Sequence, residues 1–396
     1  MNIPKLRFKD NNGNDYPQWE KKKLGDIVQF LDNKRKPLEQ SERIHGKYPY
    51  YGASGIIDYI NNYIFDEELV LLSEDGANII DRNYPICYIA TGKYWVNNHA
   101  HVLKTKSQYL NKFLCEALER LNYNKYNTGT AQPKLNQDIC KNILLNIPIL
   151  HEQEKIANFF STIDKKIKNL ANTITSLENQ KKGLLQQIFS QKLRFKDKNG
   201  NNYPNWEKKK LGKLLSITSS KRVHEADWTT SGIPFYRARD IVSIFNNKPI
   251  SKIYISEKLY EECSSSCGKI SENDLLVTGV GTIGIPYLVK KSDKFYFKDG
   301  NIIWLKNSPA IYGKYLFYIF ISSYVQKQIN MMTGKGTVGT YTIKNAKDTN
   351  ILLPCLEEQT KIADFLSEFD RKLDNQKAQL EHWQQIKKGL LQQMFV

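Results

Sequence analysis

Apolar residues in the stretch 151–190, HEQEKIANFFSTIDKKIKNLANTITSLENQKKGLLQQIFS, recur in alternating steps of four and three. They are Ile156, Phe160, Ile163, Ile167, Leu170, Ile174, Leu177, Leu184 and Ile188, and only Lys181 interrupts the row. Such steps keep one narrow stripe turned toward a partner helix, the heptad signature of a coiled coil. The expected helix is about 50 Å long at about 1.5 Å per residue. The stretch 357–396 repeats the pattern at Ile362, Leu366, Phe369, Leu373, Leu380, Trp383, Leu390 and Met394, with Gln376 and Lys387 as polar breaks. KKGLLQQ occurs in both stretches at the offset that relates Ile156 to Ile362. The helix is therefore duplicated, and its partner lies within the chain. Lys181, Gln376 and Lys387 are where the seam is expected to pack least well.

A second repeat precedes each half. KLRFKDNNGNDYPQWEKKKLG at 5–25 returns as KLRFKDKNGNNYPNWEKKKLG at 192–212. This offset is smaller than that of the helices, so the second half has the longer interior. The interiors match only at their margins, where Lys34-Arg35 maps to Lys221-Arg222 and Tyr109-Leu110 to Tyr315-Leu316. Between the margins both have diverged. Residues 48–103 alternate as short strands (YPYYGASGIIDYI, EELVLLSE, YPICYIATG, WVNNHAHVL), and residues 233–305 do likewise with IPFYRARDIV, DLLVTGVGTIGIPYLVKK, KFYF and NIIWLK. Each body then closes with a helical stretch, 107–121 and 311–331, and a glycine-containing loop, TGTAQPKL or TGKGTVGTYTIK.

The expected fold is α/β (α+β): two mixed α/β bodies, 1–146 and 191–352, and two long helices, 147–190 and 353–396. Because QQIFS runs on into KLRFKD while the second copy ends in QQMFV, the N-terminal arm is expected beside the C-terminus. An antiparallel helix pair with a pseudo-twofold, nearly circular repeat meets that requirement; a parallel pair needs a return connection for which no linker exists.

Charge narrows the function. Of 396 residues, 58 are Lys or Arg and 41 are Asp or Glu, giving a net charge of +17, which favours a polyanionic partner. The cysteines, Cys87, Cys115, Cys140, Cys263, Cys267 and Cys355, lack the paired spacing of a zinc site or a disulfide framework. MNIPKLRFKD lacks the apolar core of a signal peptide, and the apolar run at 315–321 is too short to span a bilayer. A cytoplasmic protein without membrane association is expected.

Catalytic motifs fail on inspection. GVGTIG (279–284) and GKGTVG (334–339) match GxGxxG, but strand-like sequence follows each where a dinucleotide site needs a helix N-terminus. GxxxxGK[ST] and the NPPY or DPPY tetrapeptides are absent. His99 and His101 offer two metal ligands without a third at motif spacing, which reads better as a polar strand. No catalytic residue, metal or cofactor is assigned.

Nucleic-acid signals are stronger. Loops rich in Lys, Arg, Asn, Gln, Thr and Tyr supply phosphate clamps and base-edge readers. In the first body the candidates are Lys34, Arg35, Lys36, Tyr51, Ser54, Asn97, Asn98, His99, Thr130, Gln132 and Lys134. In the second they are Lys221, Arg222, Arg237, Arg239, Thr282, Lys335, Thr337 and Tyr341, with Arg237 and Arg239 on one side of an expected strand. A self-sufficient DNA enzyme and a coiled-coil adaptor with incidental basic charge are the rival readings.

Together these segments resemble the DNA-specificity subunit of type I restriction–modification systems over essentially the whole chain. The resemblance is carried by PQWEKKKLG (17–25) and PNWEKKKLG (204–212), YYGASGIIDYI (50–60), DLLVTGVGTIG (274–284), IPILHEQEKIANFFSTID (147–164) and LPCLEEQTKIADFLSEFD (353–370). It implies two target-recognition domains reading the halves of a bipartite, asymmetric site in double-stranded DNA. It also implies that the helices set the spacer and dock two adenine methyltransferase subunits, with restriction subunits joining the full complex. S-adenosylmethionine, ATP and Mg would then belong to those partners, and the subunit itself would be non-catalytic.

Overall fold

The computed structural model describes residues 4–105, 108–333 and 339–395. The chain divides into two compact units, Met1–Asn172 with Lys377–Val396, and Thr173–Gln376. In chain order the first half contains β1 (Glu20–Lys23), α1 (Leu24–Ile27), β2 (Val28–Phe30), β3 (His45–Gly52), β4 (Gly55–Ile60), β5 (Phe65–Asp66), β6 (Leu69–Ser73), α2 (Asn78–Asp81), β7 (Cys87–Ala90), β8 (Lys93–Val96), β9 (Ala100–Thr105), α3 (Gln108–Arg120), α4 (Gln137–Lys141), β10 (Leu144–Ile147) and α5 (Leu150–Phe189). The second contains β11 (Glu207–Lys210), β12 (Ile217–Thr218), β13 (Trp228–Thr229), β14 (Ile233–Tyr236), α6 (Ala238–Phe245), β15 (Tyr254–Ile255), α7 (Glu257–Cys267), β16 (Leu275–Thr278), β17 (Pro286–Leu288), β18 (Tyr296–Phe297), β19 (Ile302–Leu305), α8 (Gly313–Ile321), α9 (Ser323–Thr333), α10 (Ile343–Asp348), β20 (Asn350–Leu353) and α11 (Leu356–Met394).

The diverged interiors share one strand plan. The first unit has a β1-β10 pair, an antiparallel sheet β2-β9-β6-β7 and a sheet β4-β3-β8-β5. The second has β11-β20, β12-β19-β16-β17 and β13-β15-β14-β18. The same parallel pairing sits inside the second sheet of each, β3 with β8 and β14 with β18. The central strands explain the plan. All five residues of β6, LVLLS, are buried because each face meets its own core. Val70 and Leu72 join the helices, whereas Leu69 and Leu71 face the cluster of Phe65, Tyr94 and Val96. In β16, Leu275 and Val277 divide from Leu276 in the same way. Alternation in a strand thus feeds two cores.

Two helical expectations need correction. IPFYRARDIV is not one strand: β14 ends at Tyr236, and α6 begins because the Asp240 carboxylate accepts from the Arg237 backbone N–H at 2.9 Å. Arg237 and Arg239 therefore do not share a strand face. The stretch 311–331 is broken at Ser322, whose extended backbone (φ −69, ψ 154) ends α8 before α9 starts.

The long helices enter both units. In the first, Ile156, Phe160 and Ile163 of α5 share a core with Leu391, Met394 and Phe395. In the second, Ile188 and Phe189 share one with Ile362, Ala363 and Leu366 of α11. Within each unit the early residues of one helix meet the late residues of the other, so the pairing is antiparallel. The lysine breaks are not the weak points expected. Lys387 lies 2.8 Å from Asp164 and 2.9 Å from Glu116, while its repeat equivalent Lys181 pairs with Asp370, the equivalent of Asp164. Each lysine interrupting the apolar stripe is met by a carboxylate, which is what makes a half-buried cation tolerable.

The arms dock by one repeated device. Arg7 grips Glu152 at 3.0 and 2.7 Å, and Trp19 donates to the same carboxylate at 3.1 Å. Arg194 grips Glu358 at 2.8 and 2.9 Å, and Trp206 donates to it at 2.8 Å. Both glutamates are fully buried in the first turn of their helices. The backbone N–H of Leu6 donates to the Gln393 carbonyl at 3.1 Å, the bond that Leu193 makes to Gln187 within continuous chain. The expected neighbourhood of the two termini is present.

Candidate nucleic-acid interface

In the first unit the loops 32–36, 52–55, 74–77, 97–99 and 127–134 meet around one end of β6 and β9. Backbone hydrogen bonds tie them: Glu74 N–H to His99 O at 2.9 Å, Leu135 N–H to Glu74 O at 2.7 Å, Gly76 N–H to Pro133 O at 3.0 Å and Asn97 N–H to Tyr51 O at 3.0 Å. At Gly129 a Cβ would lie 1.7 Å from the Gln132 carbonyl oxygen, so only glycine lets loop 127–134 close. The loop presents exposed Thr130, Gln132 and Lys134 beside exposed Lys34, Lys36, Ser54, Asn98 and His99. Tyr51 is half-buried among them.

Charged side chains hold these loops from behind. Arg35 donates to Glu74 at 2.6 Å and to the Ala100 carbonyl at 2.9 Å, and its side chain is 13% exposed. His101 is buried, with Nδ1 2.7 Å from Asp32 and Nε2 2.7 Å from the Leu135 carbonyl. Both ring nitrogens face acceptors, so both must donate, and the ring is an imidazolium. Burial alone would lower its pKa, but the Asp32 hydrogen bond and charge outweigh that and raise it to about 10. Burial likewise works to raise Asp32, yet His101, the Val102 N–H and Arg35 hold its carboxyl below the usual range. Asp32, Glu74 and His101 lie close enough to suggest a metal centre. Their ligand atoms are engaged by the protons of His101 and Arg35.

This geometry corrects several expected contacts. Arg35 is committed inside the protein, and Asn97 is buried with its Oδ1 accepting from the His99 N–H at 2.8 Å. His99 is exposed and bonds Asp75 at 2.8 Å, so the two histidines serve different partners.

The second unit repeats the scaffold with different side chains. Gly279 N–H donates to Asn301 O at 2.8 Å and Tyr341 N–H to Gly279 O at 2.9 Å, the bonds that Glu74 and Leu135 make in the first unit. Tyr341 therefore occupies a core position. Its ring is fully buried and its hydroxyl lies 2.6 Å from Thr349, so it is not a surface reader. GVGTIG is a turn between β16 and β17, with Gly281 and Gly284 at positive φ. Arg237, Arg239 and Thr282 come together on a cavity of about 780 Å³, also lined by Trp228, Asn246, Lys248, Lys298 and Asn301. Arg237 is neutralised by Asp240 at 2.8 Å, whereas Arg239 is exposed. Lys221 is exposed, and Arg222 reaches Asp299 at 3.0 Å while staying largely in solvent. Lys335 and Thr337 lie outside the described residues.

Asp32 and Glu74 as organisers, and Lys248 and Lys298 as cations, were not singled out from sequence. A basic residue just before the Asp-Gly turn of KFYFKDG was the available signal for Lys298. Among the described residues no helix is long and apolar enough to cross a membrane.

A family model described as the type I restriction modification DNA specificity domain matches residues 16–179 and 203–382. The chain is 31% identical over 364 residues to a type I restriction enzyme specificity subunit of Haemophilus influenzae, covering 89% of this chain and 87% of that one. It is 24% identical over 417 residues to the MjaVIII specificity subunit of Methanocaldococcus jannaschii, covering 97% and 94%. Its fold is similar to the crystal structure of the type I restriction–modification S subunit from M. genitalium, with a TM-score of 0.63 at 18% identity and 99% of both chains covered. With its duplicated frame, paired helices and converging polar loops, the chain belongs to the type I restriction–modification DNA specificity family.

Proposed function

We propose that each unit reads one half of a bipartite, asymmetric site in double-stranded DNA, the first through the loops around Lys34, Lys36, Asn98 and Lys134, the second through those around Lys221, Arg239 and Thr282. The observation that carries this is one strand plan, used twice, whose converging loops keep Lys34 as Lys221 and otherwise present different side chains, such as Asn98, His99 and Lys134 in the first unit against Arg239 and Thr282 in the second. Diverged loops on a common frame suit two different half-sites. The helices α5 and α11, shared by both units, set the length of the unread spacer and dock two adenine methyltransferase subunits, to which restriction subunits add. S-adenosylmethionine, ATP and Mg belong to those partners, and this subunit contributes recognition without chemistry of its own.

The test is to purify the chain with a matching methyltransferase and map adenine methylation across a genome with and without it. A single bipartite sequence methylated only when the chain is present is expected. Methylation indifferent to the chain, or activity of the chain alone with metal or S-adenosylmethionine, would overturn the assignment. Affinity for a duplex carrying the site should fall steeply with salt, since the readers sit among phosphate-binding lysines.

A further inference from the structure

The cavity of the second unit holds more positive charge than its own carboxylates answer. Lys298, Lys248 and Arg239 line it, and none of the three is joined to a carboxylate in an ion pair among the described residues. Lys298 is half-buried and lines the cavity beside Asn301. Glu225 supplies the lining's carboxylate, and Arg237 is already spent on Asp240. The remaining wall is of another kind: the indole of Trp228, with the Arg237 guanidinium 5.7 Å from its ring centre, Val242 and Val280, the amide of Asn301, and Asn246, whose Nδ2 donates to the Val242 carbonyl at 2.8 Å and whose Oδ1 is left to accept. A volume of about 780 Å³ falls in the range of small-molecule sites, roughly 300–1,000 Å³, and is far larger than a lone phosphate needs. The first unit places negative charge at the matching position, where Glu74 stands in place of Gly279.

We propose that this cavity binds a nucleoside phosphate, with the phosphate on Lys298, Lys248 and Arg239 and the base against Trp228 within reach of the Asn246 and Asn301 amides. Cations for the phosphate, an aromatic face for the ring and amides for the base edge are the complementary groups such a ligand requires. The ligand has two sources: a nucleotide swung out of the bound half-site, or a free nucleotide. The first source rests on the second unit reading DNA; the second does not.

Two arms separate the sources. In one, the full chain with its methyltransferase partner binds a duplex of the mapped site carrying 2-aminopurine at successive positions of the second half-site, and emission is recorded. In the other, the full chain is titrated with dAMP, dGMP, dCMP and dTMP by calorimetry. Enhanced emission at one position assigns the duplex as source; saturable mononucleotide binding assigns the free ligand. Either signal should weaken about tenfold or more in Lys298→Met, and also in the exposed-rim variant Lys248→Met, since each loses a charge-assisted hydrogen bond. Silence in both arms, or a signal that neither variant changes, overturns the proposal. If methylation still maps to one bipartite sequence in that event, the recognition assignment stands and only the cavity's role falls.

Discussion

Single residues divide here between readers and holders. His101, Arg35, Asp32 and Glu74 hold, and their removal should be felt as stability. His101→Ala removes the closer of two cations from Asp32 and leaves Arg35 at 3.5 Å, so the loss should lie near the lower end of the about 3–5 kcal/mol that breaking a buried pair costs. A loss of that size is expected in chemical denaturation of the intact chain; a loss under ~1 kcal/mol would mean that the loops do not depend on the network. The pH dependence has a definite sign. His101 is raised to about 10, so its contribution is complete below its ordinary value and fades as pH rises through about 10. Asp32 is held below its ordinary value, so its contribution is present above that value and is lost as pH falls through the lowered one. The difference between wild type and His101→Gln should therefore shrink at both extremes, and a difference flat across them would contradict the imidazolium. Gly129→Ala tests the reader loop: with its Cβ 1.7 Å from Gln132 O, loop 127–134 must reshape. Methylation of the first half-site should be lost while the denaturation midpoint moves little.

At the scale of elements, periodicity located the long helices, and their heptads became the buried positions Ile156, Phe160, Ile163, Ile362 and Leu366. The polar breaks were legible as interruptions but not as pairs, because nothing local in α5 announces that Lys181 will face Asp370. Lys181→Ala should cost about 1–2 kcal/mol, between the values for exposed and buried pairs, since Asp370 keeps partial solvent access. The double variant Lys181→Leu with Asp370→Leu should recover most of that loss. If the double variant is as unstable as the single one, the pair contributes through something other than mutual charge compensation. The strands of both interiors were visible from alternation, whereas α6 was hidden in IPFYRARDIV, where β-branched and aromatic residues outweighed the capping exchange between Arg237 and Asp240. The recognition loops were found by composition, but composition could not separate a surface lysine from Arg35, which folds inward to Glu74.

At the scale of the whole chain, duplication was legible because the arms are nearly identical and the helices repeat their apolar register and KKGLLQQ, while the common strand plan of the interiors was not, since similar pairings were built from unrelated residues. Replacing residues 36–106 by those of a relative with another specificity should change one half-site and leave the other intact, read by methylation mapping. Changes in both halves would contradict independent reading. Matched heptads inserted in α5 and α11 should lengthen the unread spacer or abolish methylation; an unchanged site would remove the helices from that role.

The first unit is completed by a segment that follows the whole second unit: Leu391, Met394 and Phe395 sit in its core, and Leu6 is bonded to Gln393. The second unit is one uninterrupted segment, Thr173–Gln376. On the ribosome, the half that emerges first must therefore wait until residues 391–395 are translated, while the later half can close before it. Nascent chains of residues 1–376, carried clear of the ribosome by a C-terminal linker, should already protect the second unit from protease and leave the first one open. A stop codon in place of Leu391 would damage the half that was synthesised first.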